Sequence, residues 1–221
     1  MEKLKISNLL DLEKTIAKDL FKKFTYPWEV LPHIGQFIKE IQKNLSANEY
    51  DEIKPGVFVH KLATVAKTAY IDGPCVICAN ANVRHCAFIR GNAIIGENAV
   101  VGNSTELKNS ILFNNVQVPH YNYVGDAILG YKAHMGAGSI TSNVKSDKTL
   151  VTVNFNGEKI KTNLKKFGAI LGDFVEVGCN SVLNPGTVIG RNTNIYPVSM
   201  VRGYIKENSI YKNSKEIIKK D

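Results

Sequence analysis

The amino-acid sequence predicts a mainly β fold, a parallel β-helix built from six-residue repeats, with one side of a prism per repeat. An aliphatic residue returns at every sixth position from Val59 to Leu107, and a small residue stands two positions before most of these. Because an α-helix repeats every 3.6 residues and a strand every two, this period indicates short strands separated by sharp corners. Asn and Gly between the repeats supply the backbone conformations that corners require.

The repeat breaks in the segment "VPHYNYVGDAILG", residues 118–130. The aliphatic positions Val124 and Leu129 are five residues apart there, and a histidine and two tyrosines stand at the same place. Aliphatic residues at a regular spacing serve packing. A break that carries His120 and Tyr123 therefore indicates that this side of the prism has a functional role.

The repeat resumes at Leu171 and continues to Val201. Between the two runs, apolar residues alternate with polar ones and lead to Asn156-Gly157, a pair that favours tight turns between antiparallel strands. The sequence therefore predicts a β-hairpin over residues 145–168, within a β-helix that covers residues 55–203.

Residues 1–54 predict a small helical element. Apolar residues keep helical spacing over residues 7–24 and again from Ile34 to Leu45, and two prolines in "YPWEVLP" are expected to break the helix between them. This element cannot bury its apolar side alone, so we expect it to cover the open first turn of the β-helix. We expect residues 204–221 to form a basic C-terminal tail.

Composition excludes several classes of protein. The chain has 221 residues, 44% of them apolar, and a formal net charge of +8, but it contains no nucleic-acid-binding motif. No apolar run approaches the ~20 residues of a membrane span, and no signal peptide is recognised, so a cytoplasmic location is predicted. The pair Cys75-x-x-Cys78 is half of a zinc motif without a second half, which favours core packing.

Several motifs together resemble a known family. They are the hexads, "VGNSTELKNSIL", "VPHYNYVGDAILG", "MGAGSITSN" and "KKFGAILGDFVEVGCNSVLNPGTVIG". They resemble the acetyltransferase domain of bifunctional N-acetylglucosamine-1-phosphate uridyltransferases. They are still more similar to the C-terminal domain of archaeal sugar-1-phosphate nucleotidylyltransferases. The resemblance covers residues 57–203.

The resemblance implies a left-handed β-helix that forms a homotrimer with active sites between subunits. It implies N-acetylation of an amino sugar 1-phosphate, or of a nucleotide-linked amino sugar, with acetyl-CoA as acyl donor and no metal. The chain shows no Gly-rich nucleotide-binding loop. The pyrophosphorylase activity of the longer relatives is therefore not expected of these residues.

The resemblance also assigns catalytic and substrate-binding residues. His120 matches the general base, and an imidazole with a reference pKa near ~6.5 suits proton transfer at neutral pH. Arg90 and Lys108 match ligands of the sugar phosphate, a role that suits a guanidinium and an ammonium group. Tyr123 matches a tyrosine that contacts the sugar or phosphate, and Asn143 an asparagine near the acyl donor and the amine.

Further assignments lie where this sequence departs from its bacterial relatives. His134 stands in place of a substrate-binding asparagine and is assigned to substrate binding. Ala137, Cys179 and Pro197 are assigned to coenzyme binding, the last two in place of a serine and an alanine. Backbone amides of "GAGS", residues 136–139, are expected to bind the thioester oxyanion.

Two alternatives remain open. The γ-type carbonic anhydrases share hexapeptide repeats and bind zinc through three histidines; His85 and His120 have a suitable separation for two, but "YNYVGDA" lacks a third. A non-catalytic scaffold or regulatory subunit related to sugar nucleotidyltransferases is the other alternative.

Overall fold

A computed structural model describes residues 1–220 and shows a left-handed parallel β-helix with three faces, confirming the hexapeptide interpretation. Strands stack in register from one turn to the next; Val57 pairs with Cys75, and Cys75 with Ala93. Among residues 1–220, no helix is both long and apolar enough to span a membrane.

Strand β1 (Tyr50–Lys54) precedes the prism and pairs antiparallel with its first strand. Face 1 contains β2 (Val57–His60), β5 (Cys75–Ile77), β8 (Ala93–Ile95), the ends of β10 (Glu106–Leu112) and β12 (Tyr123–Leu129), β17 (Ala169–Leu171), β20 (Thr187–Ile189) and β23 (Tyr204–Ile205). Face 2 contains β3 (Thr64–Val65), β6 (Asn82–Val83), β9 (Val100–Asn103), β11 (Gln117–His120), β13 (His134–Met135), β18 (Glu176–Val177), β21 (Asn194–Ile195) and β24 (Ser209–Asn213). Face 3 contains β4 (Tyr70–Asp72), β7 (Phe88–Arg90), the starts of β10 and β12, β14 (Ile140–Thr141), β19 (Val182–Leu183) and β22 (Met200–Val201).

Residues with positive φ mark the corners of the prism. Most follow one another at six residues, as Asn92 and Asn98 do, and asparagine adopts this conformation more readily than most residues. Two sides of the prism are one residue shorter. Asn109 follows Ser104 after five residues, and Asp126 likewise follows Tyr121 after five. β10 and β12 therefore bend from face 3 onto face 1 without interruption, which explains the break in the repeat.

The expected helix over residues 7–24 is wrong. The structure has short segments instead: η1 (Glu2–Leu4), α1 (Ile6–Leu9), η2 (Leu12–Lys14) and α2 (Lys18–Phe21). Leu10 and Thr15 are extended, and the side chains of Asp11 and Thr15 accept bonds from the backbone amides of Glu13 and Ala17. These local side-chain bonds replace helical backbone bonds and interrupt the helix.

The prolines of "YPWEVLP" do not stop the chain from being helical. η3 (Pro27–His33) is a 3₁₀-helix that leads directly into α3 (Ile34–Gln42). Pro27 stands at the first helical position, where its missing N–H removes no internal bond, and the Glu29 carboxylate accepts the N–H of Tyr26. The second predicted helix is confirmed, with Ile34 and Ile38 buried.

Residues 1–45, here called the strap, lie along face 1 and do not cover the first turn as expected. The strap begins at the last turn, where Lys3 binds Glu207, and ends at the first two turns, where Gln42 donates to the carbonyls of Gly56 and Cys75. In between, the carbonyl of Leu9 accepts from Asp173 N (3.0 Å), that of Lys14 from Asn114 N (2.9 Å) and that of Leu31 from Asn109 Nδ2 (3.2 Å).

Antiparallel strands close both ends of the prism. β1 covers the free edge of β2, and β25 (Glu216–Lys219) covers that of β24. Residues 204–219, expected as a basic tail, thus form the last strands, because Ile205 and Tyr211 still point inward and are buried. The predicted hairpin forms from β15 (Thr152–Phe155) and β16 (Glu158–Lys161), and buried Val153 lies on its packed side.

Candidate active site

His120 lies at the edge between faces 2 and 3, at the end of β11. Its backbone N–H donates to Asn122 Oδ1 (3.1 Å), and the buried Asn122 amide donates to the carbonyl of Gly136 (2.8 Å). These bonds fix the corner beside the histidine. The imidazole is exposed, and no side chain among residues 1–220 hydrogen-bonds to it, so both ring nitrogens are open to a ligand.

The three residues assigned to coenzyme binding stack above His120 on the same edge. The carbonyl of His120 accepts from Gly138 N (3.0 Å), that of Ala137 from Asn180 N (2.8 Å) and that of Cys179 from Val198 N (2.8 Å). His120, Ala137, Cys179 and Pro197 therefore occupy equivalent positions in successive turns. At about 4.8 Å per turn they line roughly 14 Å of the edge, long enough for an extended ligand.

The turn beside this edge limits which amides can bind an oxyanion. The N–H groups of Gly136, Gly138 and Ser139 already donate to backbone carbonyls. Within the described residues, the N–H of Ala137 has no acceptor. Of the "GAGS" amides considered from the sequence, Ala137 alone keeps a free donor.

A polar cluster lies on face 3, toward its corner with face 1, whereas His120 lies at the opposite edge of the same face. Asp126 is buried, and its Oδ2 atom lies 3.1 Å from Lys108 Nζ and 2.5 Å from Asn143 Nδ2. Asn143 Nδ2 also donates to the hydroxyl of Tyr123 (3.2 Å). Three of the sequence-predicted residues thus meet around one carboxylate.

Arg90 adjoins this cluster through a second carboxylate. Its Nη1 atom lies 2.7 Å from Glu106 Oε1, and Glu106 is the register partner of Tyr123 on the next turn. The cations of Arg90 and Lys108 are therefore each paired with an acid in the unliganded chain. A guanidinium has five N–H donors and an ammonium three, so both side chains keep donors for a ligand.

The Tyr123 ring lies across Gly125, where an added Cβ would stand 2.4 Å from the tyrosine hydroxyl. Burial raises the pKa of Tyr123, and the negative charges of Asp126 and Glu106 raise it further. Its ordinary pKa of about 10 already keeps the hydroxyl protonated at neutral pH. The upward shift keeps it a hydrogen-bond donor over a still wider range.

His134 lies apart from this cluster, on face 2. Its Nδ1 atom is 2.8 Å from Glu176 Oε2, the register partner on the next turn. The structure thus brings Arg90, Lys108, Tyr123 and Asn143 together, arranges the coenzyme residues along the edge with His120, and leaves His134 on another face. Its role in substrate binding stays a prediction.

Sequence reasoning missed Asp126, Glu106 and Asn109, which hold the predicted residues in place. Asp126 carried a recognisable signal, because it is the one charged residue of the otherwise apolar strand "YVGDAIL". Asn109 donates to Asp126 Oδ1 (2.9 Å) and occupies the corner of the previous turn. Glu106 carried no comparable signal, since a charged residue next to a repeat is commonly a solvated one.

The cysteines and histidines show no arrangement suited to a metal. Among residues 1–220, no three His, Cys, Asp or Glu side chains are grouped to hold an ion. Burial raises the pKa of Cys78 to about 12 and raises that of Cys75 as well, so both remain thiols at neutral pH. His85, a candidate zinc ligand of the carbonic anhydrase alternative, hydrogen-bonds to Thr68 (2.7 Å) and Cys86 (3.2 Å).

Comparisons with known proteins place these features in a family. The chain is 38% identical over 197 residues to "Bifunctional protein GlmU" of Methanococcus vannielii, a match that covers 88% of this chain and 47% of the relative. It is 27% identical over 230 residues to "Bifunctional sugar-1-phosphate nucleotidylyltransferase/acetyltransferase" of Sulfurisphaera tokodaii, covering 96% and 57%. The chain therefore spans about half the length of the curated relatives that it matches.

The chain is also similar, more weakly, to solved structures. A mutant of AntD, described as an N-acyltransferase from Bacillus cereus in complex with dTDP and coenzyme A, is 22% identical with a TM-score of 0.39, and the match covers 75% of this chain and 82% of that one. The family model described as the GMPPB C-terminal domain matches residues 71–205, which include every residue of the edge and the polar cluster. The chain therefore belongs to the family of the GMPPB C-terminal domain.

Proposed function

We propose that this protein transfers an acetyl group from acetyl-CoA to the amine of an amino sugar 1-phosphate or of a nucleotide-linked amino sugar. The observation that carries the proposal is the unpartnered imidazole of His120, which lies at one end of the edge formed with Ala137, Cys179 and Pro197 and three residues before Tyr123 of the polar cluster. The names of the relatives in Methanococcus and Sulfurisphaera support it, since the second includes "acetyltransferase".

In the proposed reaction, the amine nitrogen attacks the thioester carbonyl while His120 accepts one amine proton. A tetrahedral intermediate forms, and the N–H of Ala137 donates to its oxyanion. The C–S bond then breaks, the amide is released, and the coenzyme A thiolate takes the proton from His120. Arg90 and Tyr123 donate to the phosphate and sugar oxygens of the acceptor.

We propose a homotrimer whose subunits meet at faces 2 and 3. The strap covers face 1, and large apolar side chains are exposed at the edge beside His120, where Tyr121, Val198 and Met200 are 65%, 80% and 66% exposed. Such residues at one edge favour a protein contact there. Static light scattering tests this, and a stable monomer would contradict a site shared between subunits.

We place the protein in the cytoplasm, a proposal supported by its four free cysteines.

A non-catalytic scaffold is the alternative function. One observation favours it: Arg90 and Lys108 are both paired with carboxylates, so the cluster carries no net charge to attract a phosphate.

The test is acetyl-CoA consumption with glucosamine 1-phosphate and with UDP-linked amino sugars. We expect turnover by the wild type and a loss of about 10²- to 10⁴-fold in His120→Ala, because proton transfer by a positioned base contributes about that much. His33→Ala is the control, since His33 is an exposed residue of the strap. Absence of turnover with every amino sugar, or turnover unaffected by His120→Ala, would support the scaffold.

A further inference from the structure

Asp126 is a buried carboxylate with three polar side chains directed at it. It is 5% exposed and stands at a corner with a φ of 47°, a conformation that Asp and Asn tolerate better than most residues. Lys108 Nζ and Asn143 Nδ2 approach Oδ2 at 3.1 and 2.5 Å, and Asn109 Nδ2 approaches Oδ1 at 2.9 Å. A buried carboxylate with this many donors fixes their positions.

This arrangement sets which end of the Asn143 amide faces the site. A carboxylate accepts hydrogen bonds and cannot donate them, so the group directed at Asp126 must be the NH₂ of Asn143. The second hydrogen of that NH₂ is donated to the Tyr123 hydroxyl at 3.2 Å. With both hydrogens used, the carbonyl oxygen Oδ1 of Asn143 is left as the group that can accept from a ligand.

The same bond sets the direction of the Tyr123 hydroxyl. Because its oxygen accepts from Asn143, its own hydrogen is left to donate elsewhere. The site therefore offers one acceptor, Asn143 Oδ1, and one donor, the Tyr123 O–H. An acceptor substrate with an amine hydrogen and a phosphate or sugar oxygen fits both.

We propose that Asp126 is a positioning residue that fixes the polarity of the acceptor site by holding Asn143 and, through it, the Tyr123 hydroxyl. This inference rests on the proposed function, because it takes an amino sugar as the acceptor. The strap contributes to the same network, since Asn109 also donates to the carbonyl of Leu31 at 3.2 Å. Asp126 thus links the cover of face 1 to the chemistry of face 3.

Asp173 provides a matched control. It is 2% exposed, lies at the corner between faces 1 and 2, and also holds the strap, because its carboxylate accepts the N–H of Asp11 (2.8 Å). It further accepts the N–H of Tyr131 (2.8 Å) and pairs with Arg191 (3.1 Å). Asp126→Asn and Asp173→Asn each remove one buried carboxylate that is linked to the strap, but only the first changes the polar cluster.

The first experiment compares crystal structures of the wild type and Asp126→Asn, and it requires no activity. An amide at position 126 presents an NH₂ in place of one carboxylate oxygen, so either Asn109 or the pair Lys108 and Asn143 loses its acceptor. We expect Lys108 to move beyond about 3.5 Å, or the amide of Asn109 or Asn143 to rotate. Asn109, Asn143, Lys108 and Tyr123 all unchanged in the variant would overturn the positioning role.

The second experiment measures KM for each substrate in the acetyl-transfer assay. We expect Asp126→Asn to raise KM for the amino sugar about 10-fold or more and to leave KM for acetyl-CoA within about twofold. Asp173→Asn should lower the melting temperature and leave both KM values unchanged. An unchanged amino-sugar KM in Asp126→Asn, or a rise equal to that in Asp173→Asn, would overturn the proposal.

The two experiments separate the two proposals. A wild type without transfer activity, combined with displaced side chains in the Asp126→Asn crystal, would contradict the proposed function while the positioning role of Asp126 stands. Transfer activity by the wild type, combined with an unchanged polar cluster in the Asp126→Asn crystal, would support the proposed function and overturn the positioning role of Asp126.

Discussion

Faces 1 and 3 are built from the same repeat but differ in what their outward side chains contact. In the middle turns of face 1 the outward residues between the two inward positions are aliphatic and fully buried under the strap: Val76, Ile94, Ile111, Ile128, Ile170 and Val188. On face 3 the outward residues include Tyr70 and Met200, which are 56% and 66% exposed, together with the charged residues of the candidate site. The repeat thus specifies the inside of the prism, and the outward residues specify what covers each face.

Because of this difference, the residues under the strap on face 1 stabilise the fold, and the residues of the candidate site lie on face 3. Face 1 and the strap form a continuous apolar layer, in which Trp28 of the strap lies near Phe167 with 6.1 Å between ring centroids. Face 3 places its polar groups on a backbone already held by the inward core. We therefore expect substitutions on face 1 to lower stability and substitutions on face 3 to change substrate binding.

The largest expected effect is on face 1. Ile94→Ala should lower the free energy of unfolding by about 2–5 kcal/mol, because it removes a fully buried side chain and leaves a cavity. Leu62→Ala, whose side chain is 65% exposed in the turn between faces 1 and 2, is the control and should change it by about 0.5 kcal/mol or less. Chemical denaturation measures both, and equal losses would contradict the burial of the face 1 residues under the strap.

A smaller effect is expected on face 3. Tyr123→Phe keeps the ring over Gly125 but removes the hydroxyl, so it should raise KM for the amino sugar about 3- to 10-fold. The melting temperature should stay within about 2 °C of the wild type, because the packing of the ring is kept. A variant that loses stability but keeps its KM would place Tyr123 among the packing residues.

The smallest expected effect depends on pH, at the start of the strap. Partial burial of Glu207 acts to raise its pKa, but the hydrogen bonds from Lys3 and Tyr204 outweigh it and hold the pKa at about 2. A lowered carboxylate pKa stabilises the folded state above the unfolded pKa of about 4.5, and this stabilisation is lost as the pH falls from there toward 2.

The variant Lys3→Ala tests this contribution. Because Lys3 is mostly exposed, we expect it to lower the free energy of unfolding by at most about 1 kcal/mol at pH 7. The difference from the wild type should shrink below pH 4.5. Lys43→Ala is the control, since Lys43 is an exposed strap residue that forms no ion pair within residues 1–220, and its effect should not depend on pH. A pH-independent difference for Lys3→Ala would contradict the assignment.

Much of the fold could be predicted because its determinants are local. The six-residue period and the Asn156-Gly157 turn each depend on neighbouring residues, and the prism and the hairpin follow from them. The interrupted helix at Leu10 depends on more than local residues. Local side-chain bonds of Asp11 and Thr15 interrupt it, but the carbonyl of Leu9 also bonds to Asp173, more than 160 residues along the chain, and the helical pattern gives no sign of this partner.

The candidate site divides in the same way. Arg90, Lys108, Tyr123 and Asn143 were found through motifs, and the structure brings them into one cluster. Asp126 was missed because its importance lies in three donors that come from other turns. The position of His134 on another face also could not be read from its place in a motif.

The sequence alone determined the β-helix, because a strict period of six repeats one local geometry in every turn. Only the tertiary structure decided which face the strap covers and how the polar cluster is oriented. Those features depend on contacts such as Asn109 with Leu31 and Asn143 with Asp126, which join residues 78 and 17 positions apart. The physical reason is that a hydrogen bond between distant residues leaves no period in the sequence, whereas packing inside a repeating prism does.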